Sequence, residues 1–220
     1  MLTRPLFRDR REAGQILGLR VKAAVRDPHP LVLALPRGGV PVAFEVAQWL
    51  HCDLDIFLVR KLGVPGNEEL ALGAIASGGV RILNESVVRD LGLSSSLIEI
   101  VAKKEQQELA RREALYREGR SPIPPRGRTA ILVDDGLATG ATMLAAARGL
   151  AKQKPRRIVV AVPVASPDAC EEFQAYVDKV ICVFTPEPFH AVGLWYEDFP
   201  QTSDAEVRKL LERAVQVKTG

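Results

Sequence analysis

"ILVDDGLATGATM", residues 131 to 143, decides the reading of this chain. A short, wholly apolar run ends in two adjacent aspartates, and a loop of Gly, Ala and Thr follows before an alanine-rich segment. The apolar run has the character of a strand covered on both faces, and the segment after it reads as a helix over 140–152. Gly136, Gly140, Ala138 and Ala141 let backbone amides approach a ligand closely, and Thr139 and Thr142 add hydroxyl donors. With the positive end of a helix dipole behind it, the loop suits a phosphate. Asp134 and Asp135, as acceptor-only groups, suit paired sugar hydroxyls, directly or through a hydrated metal. Phosphate and vicinal hydroxyls on one ligand describe a ribose 5-phosphate. Neither GxxxxGK[ST] nor GxGxxG is present, so this is not a Walker-type or dinucleotide loop.

Outward from that stretch the chain alternates strands and helices. "LVLAL" (31–35) is a buried strand that stops at Pro36, and 39–50 reads as a helix with Pro41 in its first turn. "LDIFLV" (54–59) is a second buried strand, followed by "RKLGVPGNEE", read as an irregular loop from its Gly and Pro. Gly78-Gly79 marks a hairpin between "LALGAIAS" and "VRIL". A long helix is expected from Ser95 to about Glu118, then strand 130–134, strand 158–164, helix 168–177 and strand 179–184. An amphipathic helix over 10–26 precedes all of these, and a final helix begins near Ser203. This alternation predicts a parallel sheet covered on both faces. The tail differs: Phe184, Phe189, Trp195, Tyr196 and Phe199 crowd together there. That cluster reads as a platform for a base, or as core or dimer packing.

The totals narrow the class. The chain has 220 residues, 47% hydrophobic and 26% charged, enough for one sizeable core in an ordinary soluble protein. A net charge of +3 gives little support to a nucleic-acid binder and fits a basic site for a compact anion. Cys52, Cys170 and Cys182 form no CxxC pair, which points to buried thiols in a reducing compartment. No apolar run approaches a membrane span, and "MLTRPLFRDRREAG" has no apolar core of a signal peptide, so a cytoplasmic protein is expected.

"VDDGLATGAT" resembles the signature of the type I phosphoribosyltransferases, and the resemblance covers most of residues 30 to 200. It implies an α/β fold with a parallel sheet of about five strands flanked by helices and a small hood. On this reading residues 1–220 are a single domain, with a core of about 28–184 and a hood formed largely by 185–202 plus the terminal helix. The family moves ribose 5-phosphate between phosphoribosyl pyrophosphate and a nucleobase, with magnesium bound to the substrate. "LALPRGG" sits at the family's pyrophosphate loop and "VRKLGVPGNEE" at its mobile catalytic loop.

The resemblance assigns roles residue by residue. Asp134 and Asp135 hold the ribose hydroxyls and face magnesium indirectly, through substrate or water. Ala138, Thr139, Gly140, Ala141 and Thr142 cradle the 5-phosphate. Arg37, Gly38 and Gly39 face the leaving pyrophosphate, and Arg60 and Lys61 bring cations to it as the loop closes. "FHAVGLWYEDF" is similar to the hood of hypoxanthine-type enzymes, which makes Phe189 or His190 the residue that stacks on the base. It also places Glu197 or Asp198 on the pyrophosphate–metal side. The implied partners are phosphoribosyl pyrophosphate, a small nitrogenous acceptor and a second copy of the chain, with no membrane and no nucleic acid.

The acceptor stays open. Hypoxanthine and guanine enzymes commonly carry an aspartate where this chain has Ala138, while "DDGLATGAT" and "RKLGVPG" are closer to the adenine type. The glutamate that adenine enzymes carry late in that loop region has no secure counterpart, since Glu68 and Glu69 lie earlier and Ala76 or Ser77 falls near its place. A second class of function shares the same motif: a non-catalytic sensor of phosphoribosyl pyrophosphate or nucleotide that regulates a partner. Arg60 and Lys61 in the lid favour the enzyme.

Overall fold

The computed structural model describes residues 4–218; residues 1–3 and 219–220, the ends of the expected unit, lie outside the described residues. Five strands form the main sheet: β1 (Leu31–Ala34), β2 (Asp53–Ile56), and then, after a smaller unit of β3 (Val59–Val64), β4 (Asn67–Ala76) and β5 (Val80–Leu83), β6 (Thr129–Val133), β7 (Arg157–Val164) and β8 (Lys179–Phe184). All neighbours are parallel, in the order β2-β1-β6-β7-β8. The chain therefore leaves β1 in one direction, toward β2, and returns to lay β6 on its other side. The loops leaving the carboxyl ends of β1 and β6 lead to helices on opposite faces of the sheet, and the crevice outside such a reversal is the usual place for a ligand in an open α/β sheet.

Strand residues alternate between two cores, as a period of two requires. Val32, Ala34, Ile131, Val133, Val159 and Ala161 face a layer built with Leu17, Val40, Phe44, Leu109 and Leu211. Leu31, Leu33, Ala130, Leu132, Ile158 and Val160 face Met143, Leu150 and Phe173. The first layer holds α1 (Arg10–Ala24), α2 (Gly39–Leu50), α4 (Ser95–Arg117) and α7 (Asp204–Lys218); the second holds α5 (Ala141–Ala151) and α6 (Pro167–Glu172). Local chemistry sets the ends of these helices. Asp9 Oδ1 accepts from Glu12 N at 2.8 Å at the start of α1, and Ser94 Oγ from Leu97 N at 3.3 Å at the start of α4. Ser203 Oγ accepts from Glu206 N at 3.1 Å just ahead of α7.

Three expectations are corrected, and one short element lies where none was read. "RKLGVPGNEE" is no irregular loop: β3 (Val59–Val64) pairs antiparallel with β4 (Asn67–Ala76), which pairs in turn with β5 (Val80–Leu83). Pro65 and Gly66, at φ 82°, account only for the turn, while Leu62 and Val64 are buried on one face. A short helix, α3 (Glu85–Asp90), precedes α4. The terminal helix α7, expected with the hood, instead packs on α2, α4 and β2, with Val207 and Leu211 in the main core. The three cysteines are partly exposed, and none forms a disulfide among the described residues. The Gly78-Gly79 hairpin is present as read.

The aromatic tail forms its own small cluster with the start of the chain. Phe7, Ala13, Val164, Trp195 and Tyr196 are buried together, and Leu6 N and Phe7 N both donate to the Trp195 carbonyl, at 2.9 and 3.0 Å. Glu197 N and Asp198 N donate back to the Phe7 and Arg8 carbonyls at 2.9 and 2.8 Å. This two-way strap carries the first turn of α1 to the crevice. No helix among the described residues is long and apolar enough to cross a membrane.

Candidate functional site

The crevice is built from the loop after β1 and the loop after β6, brought into contact by the β1–β6 pairing. Leu35 N donates to the Val133 carbonyl at 2.9 Å, which fixes where both chains leave the sheet. Gly38 and Gly39 then pass so close to the aspartates that no side chain fits. A Cβ on Gly38 would lie 2.1 Å from Asp135 Oδ2, and one on Gly39 2.7 Å from the Val133 carbonyl and 2.9 Å from Asp134 Cα. The Pro36–Arg37 peptide is cis. Arg37 places its guanidinium 3.7 Å from Asp204 at the start of α7. Asp204 also accepts from Tyr116 Oη at 2.7 Å, and the Tyr116 phenol is pushed up to about 12 by burial first and by that bond second.

The loop after β6 is strapped to the next strand. Leu137 N donates to the Val164 carbonyl at 2.9 Å, Ser166 N to the Leu137 carbonyl at 2.9 Å, and Ser166 Oγ to the Ala138 carbonyl at 3.0 Å. Gly140, at φ 72°, then turns the chain into α5 with its Cα against the Phe173 ring. Ala138, Thr139, Ala141 and Thr142 are exposed around this turn. Their backbone and hydroxyl groups thus surround a helix start whose first amides lack helical partners.

The carboxylates are partly buried and held by their neighbours. Asp135 N donates to Asp134 Oδ1 at 2.9 Å, and Tyr196 Oη donates to the Asp135 carbonyl at 2.5 Å. Asp135 Oδ2 accepts from Arg10 Nε at 2.8 Å. Burial first, and the Asp135 charge second, push the Asp134 carboxyl well above its ordinary value. Burial also raises the Asp135 carboxyl, opposed by the Arg10 charge and hydrogen bond. Burial and the same carboxylate raise the Tyr196 phenol. Two carboxylates and one cation thus share a poorly hydrated corner, where hydroxyl donors or a cation on a ligand would favour the ionised forms.

Arg60 and Lys61 lie on β3 rather than on a loop. Arg60 Nε donates to Glu105 of α4 at 2.8 Å, and Lys61 Nζ lies 3.2 Å from Glu69. Lys61 nevertheless lines a cleft of about 580 Å³ whose far wall includes Ala141 and Thr142. Phe189 packs against Trp195 with ring centroids 6.1 Å apart, while His190 and Glu197 are exposed. Among the described residues no group of three His, Cys, Asp or Glu side chains converges as a metal cage. The donors that are present, Asp134 and Asp135, fit a hard ion held chiefly by substrate oxygens and water.

Two site residues were missed by the sequence reading. Arg10 lies 125 positions before its partner and belongs to no motif. Phe173, which sets the Gly140 turn, reads in the sequence as an ordinary core aromatic.

A family model described as the phosphoribosyl transferase domain matches residues 20–192. Rv0571c of Mycobacterium tuberculosis, whose name carries a provisional phosphoribosyl transferase assignment, is 48% identical over 209 residues, covering 95% of this chain and 47% of its own length. The chain therefore spans about half the length of that relative. The crystal structure of TT1426 from Thermus thermophilus is similar at 44% identity and a TM-score of 0.84, over 94% of this chain and 98% of that one. A Neisseria gonorrhoeae protein solved with bound ppGpp is 14% identical at a TM-score of 0.51, over 97% of this chain and 98% of that one. At that distance the likeness concerns the fold alone.

Proposed function

This chain belongs to the phosphoribosyltransferase family, and from that premise we propose that it moves ribose 5-phosphate from phosphoribosyl pyrophosphate to a nitrogenous, nucleobase-like acceptor. The observation that carries the reading is the contact of Gly38 with Asp135 at the reversal between β1 and β6. It puts a loop suited to pyrophosphate, a carboxylate pair suited to ribose hydroxyls and a helix start suited to the 5-phosphate on one crevice.

On this reading the 5-phosphate sits on the amides and hydroxyls of Ala138 to Thr142, and Asp134 and Asp135 accept from the ribose hydroxyls. As the bond from C1′ to the pyrophosphate oxygen breaks, a bond from C1′ to the acceptor nitrogen forms, the oxygen carries away the electron pair, and the proton on that nitrogen leaves to solvent or to the departing pyrophosphate. Positive character at C1′ and negative charge on the leaving group are what a preorganised site stabilises. Arg37 and the Gly38 amide face that charge, with Gly39 keeping the turn close while its own amide donates to the Leu35 carbonyl at 3.1 Å, and Lys61 approaches across the cleft when Arg60 and Lys61 leave their carboxylate partners. Magnesium, held by Asp134 and Asp135 through substrate oxygens or water, would neutralise pyrophosphate charge. Phe189 or His190 gives the acceptor its platform. A homodimer acting in nucleotide salvage in the cytoplasm belongs to the same proposal.

The test is pyrophosphate release from phosphoribosyl pyrophosphate and magnesium, with and without a panel of purine and pyrimidine bases. Release that depends on one base establishes the reaction and names the acceptor. No release with any base, alongside calorimetric binding of the sugar phosphate, would replace the enzyme by a non-catalytic sensor. Asp134→Asn combined with Asp135→Asn is expected to keep the fold, by circular dichroism, and to abolish release.

A further inference from the structure

Arg10 is the one cation bonded to the aspartate pair among the described residues, and its surroundings are built for it. Its side chain is 10% exposed. Nε donates to Asp135 Oδ2 at 2.8 Å, and one terminal nitrogen donates to the Pro200 carbonyl at 2.7 Å. The guanidinium plane lies over the Phe199 ring, with its carbon 3.7 Å from the centroid. Phe199 stacks on Tyr196 at 4.8 Å, and the Tyr196 hydroxyl returns to the Asp135 carbonyl. The result is a closed circuit: Asp135 to Arg10, Arg10 to Phe199, Phe199 to Tyr196, and Tyr196 back to Asp135.

We propose that Arg10 is a positioning residue that holds the Asp135 carboxylate in place above Gly38 and ties it to the hood, so that the sugar-binding carboxylate and the hood segment 195–200 are ordered together. Its functional part rests on the reading of Asp135 as a ribose contact. Asp135 Oδ2 is the atom a Cβ on Gly38 would strike, so the carboxylate lies directly on the pyrophosphate loop. The same oxygen is the one Arg10 holds. Removing Arg10 frees that carboxylate to rotate away from Gly38 and removes the only cation bonded to Asp135 among the described residues. Lysine cannot replace it, because a single ammonium has no planar fork to serve Asp135 and Pro200 while stacking on Phe199.

Two measurements separate this proposal from the reading beneath it. Hydrogen exchange on the ligand-free protein tests the circuit itself. Arg10→Ala is expected to speed exchange at Asp135 and Gly136 and across residues 195–199, leaving α2 as in the wild type. Calorimetry with magnesium and phosphoribosyl pyrophosphate tests the consequence. Arg10→Ala is expected to bind about tenfold more weakly or worse, as for removal of one partner of a buried charged pair. Added guanidinium is expected to restore part of that loss, which a merely structural role would not show. Arg11→Ala, whose side chain is exposed and paired with Glu45, is the unaffected control. If Arg10→Ala does not fold, Arg10→Lys carries the test, with expected faster exchange and weaker binding. Wild-type exchange at those amides in the folded variant overturns the proposal, as does a binding loss that guanidinium leaves untouched. Should the wild type itself bind no phosphoribosyl pyrophosphate, the functional reading falls while the exchange result still decides what Arg10 does.

Discussion

Replacing Gly140 by alanine tests the proposed phosphate loop at the point where backbone and packing constraints meet. Gly140 has φ 72°, and a Cβ built there would lie 2.4 Å from Phe173 Cε2 and 3.1 Å from Cζ. The left-handed conformation costs an L-residue roughly 1–2 kcal/mol. The overlap with a buried ring adds roughly 1–3 kcal/mol, the usual range for overpacking a core. Together about 2–5 kcal/mol is lost, which for a chain of this size lowers the melting temperature by roughly 4–20 °C. The two terms separate in a cycle with Phe173→Leu, since leucine lacks the Cε2 and Cζ atoms that the methyl would strike. In that background Gly140→Ala should cost only the conformational part, roughly 1–2 kcal/mol. Scanning calorimetry measures all four proteins, and titration with phosphoribosyl pyrophosphate follows the loop, with affinity for it expected to fall in both Gly140→Ala proteins. An unchanged cost in the Phe173→Leu background would refute the packing argument. Wild-type melting in Gly140→Ala would refute the backbone argument as well.

Three further outcomes follow from the site. Burial and Asp135 hold the Asp134 carboxyl well above 3.8, so between 3.8 and the raised value the folded protein binds more protons than the unfolded one. Stability of the ligand-free protein therefore falls as pH rises through that window, and Asp134→Asn should flatten the slope in urea titrations across pH. Identical slopes in the two proteins would show that Asp134 is not the group responsible. Glu105→Gln weakens the partner that holds Arg60, so kcat/KM for phosphoribosyl pyrophosphate should rise by about two- to fivefold, the scale of a partly exposed ion pair. A fall would mean that Glu105 positions Arg60 rather than withholding it. Asp204→Asn keeps an acceptor for Tyr116 but removes the charge 3.7 Å from Arg37, and pyrophosphate should then bind about two- to threefold more tightly in calorimetry. Weaker binding would show that Asp204 holds Arg37 in its productive place.

Much of the core was readable because its rules are local. Buried parallel strands are continuous apolar runs, and 31–35, 130–134, 158–164 and 179–184 each gave a strand within a residue or so of its observed bounds. Helix α2 follows "PRGG" and carries Pro41 in its first turn, so its start was legible too. The error at "RKLGVPGNEE" has an equally local cause. Two consecutive basic residues hide the period of two in Val59 to Val64, and Pro65-Gly66 looks like the mark of a loop although it serves only as a tight turn. Helix α7 was found but misassigned to the hood, because position along the chain says nothing of which face its apolar stripe covers. Val207 and Leu211 settle that only once α2 and α4 are in place.

The site shows the same division more sharply. The role proposed for the loop after β6 rests on thirteen consecutive residues, since a phosphate cradle needs small residues, a helix start and nearby carboxylates in one stretch. The condition of those carboxylates is not written there. Their environment is set by Gly38, about a hundred residues earlier, by Tyr196 from the hood, and by Arg10, which no motif marks. Bringing Arg10 to Asp135 takes the strap between residues 6–8 and 195–198, whose backbone hydrogen bonds leave no signature in side-chain chemistry. A motif can thus suggest the ligand that a loop accepts, while the charge and order of the loop belong to the tertiary structure. That separation makes Arg10 the informative position: a change there leaves every residue of the motif intact and alters only the surroundings in which the motif works.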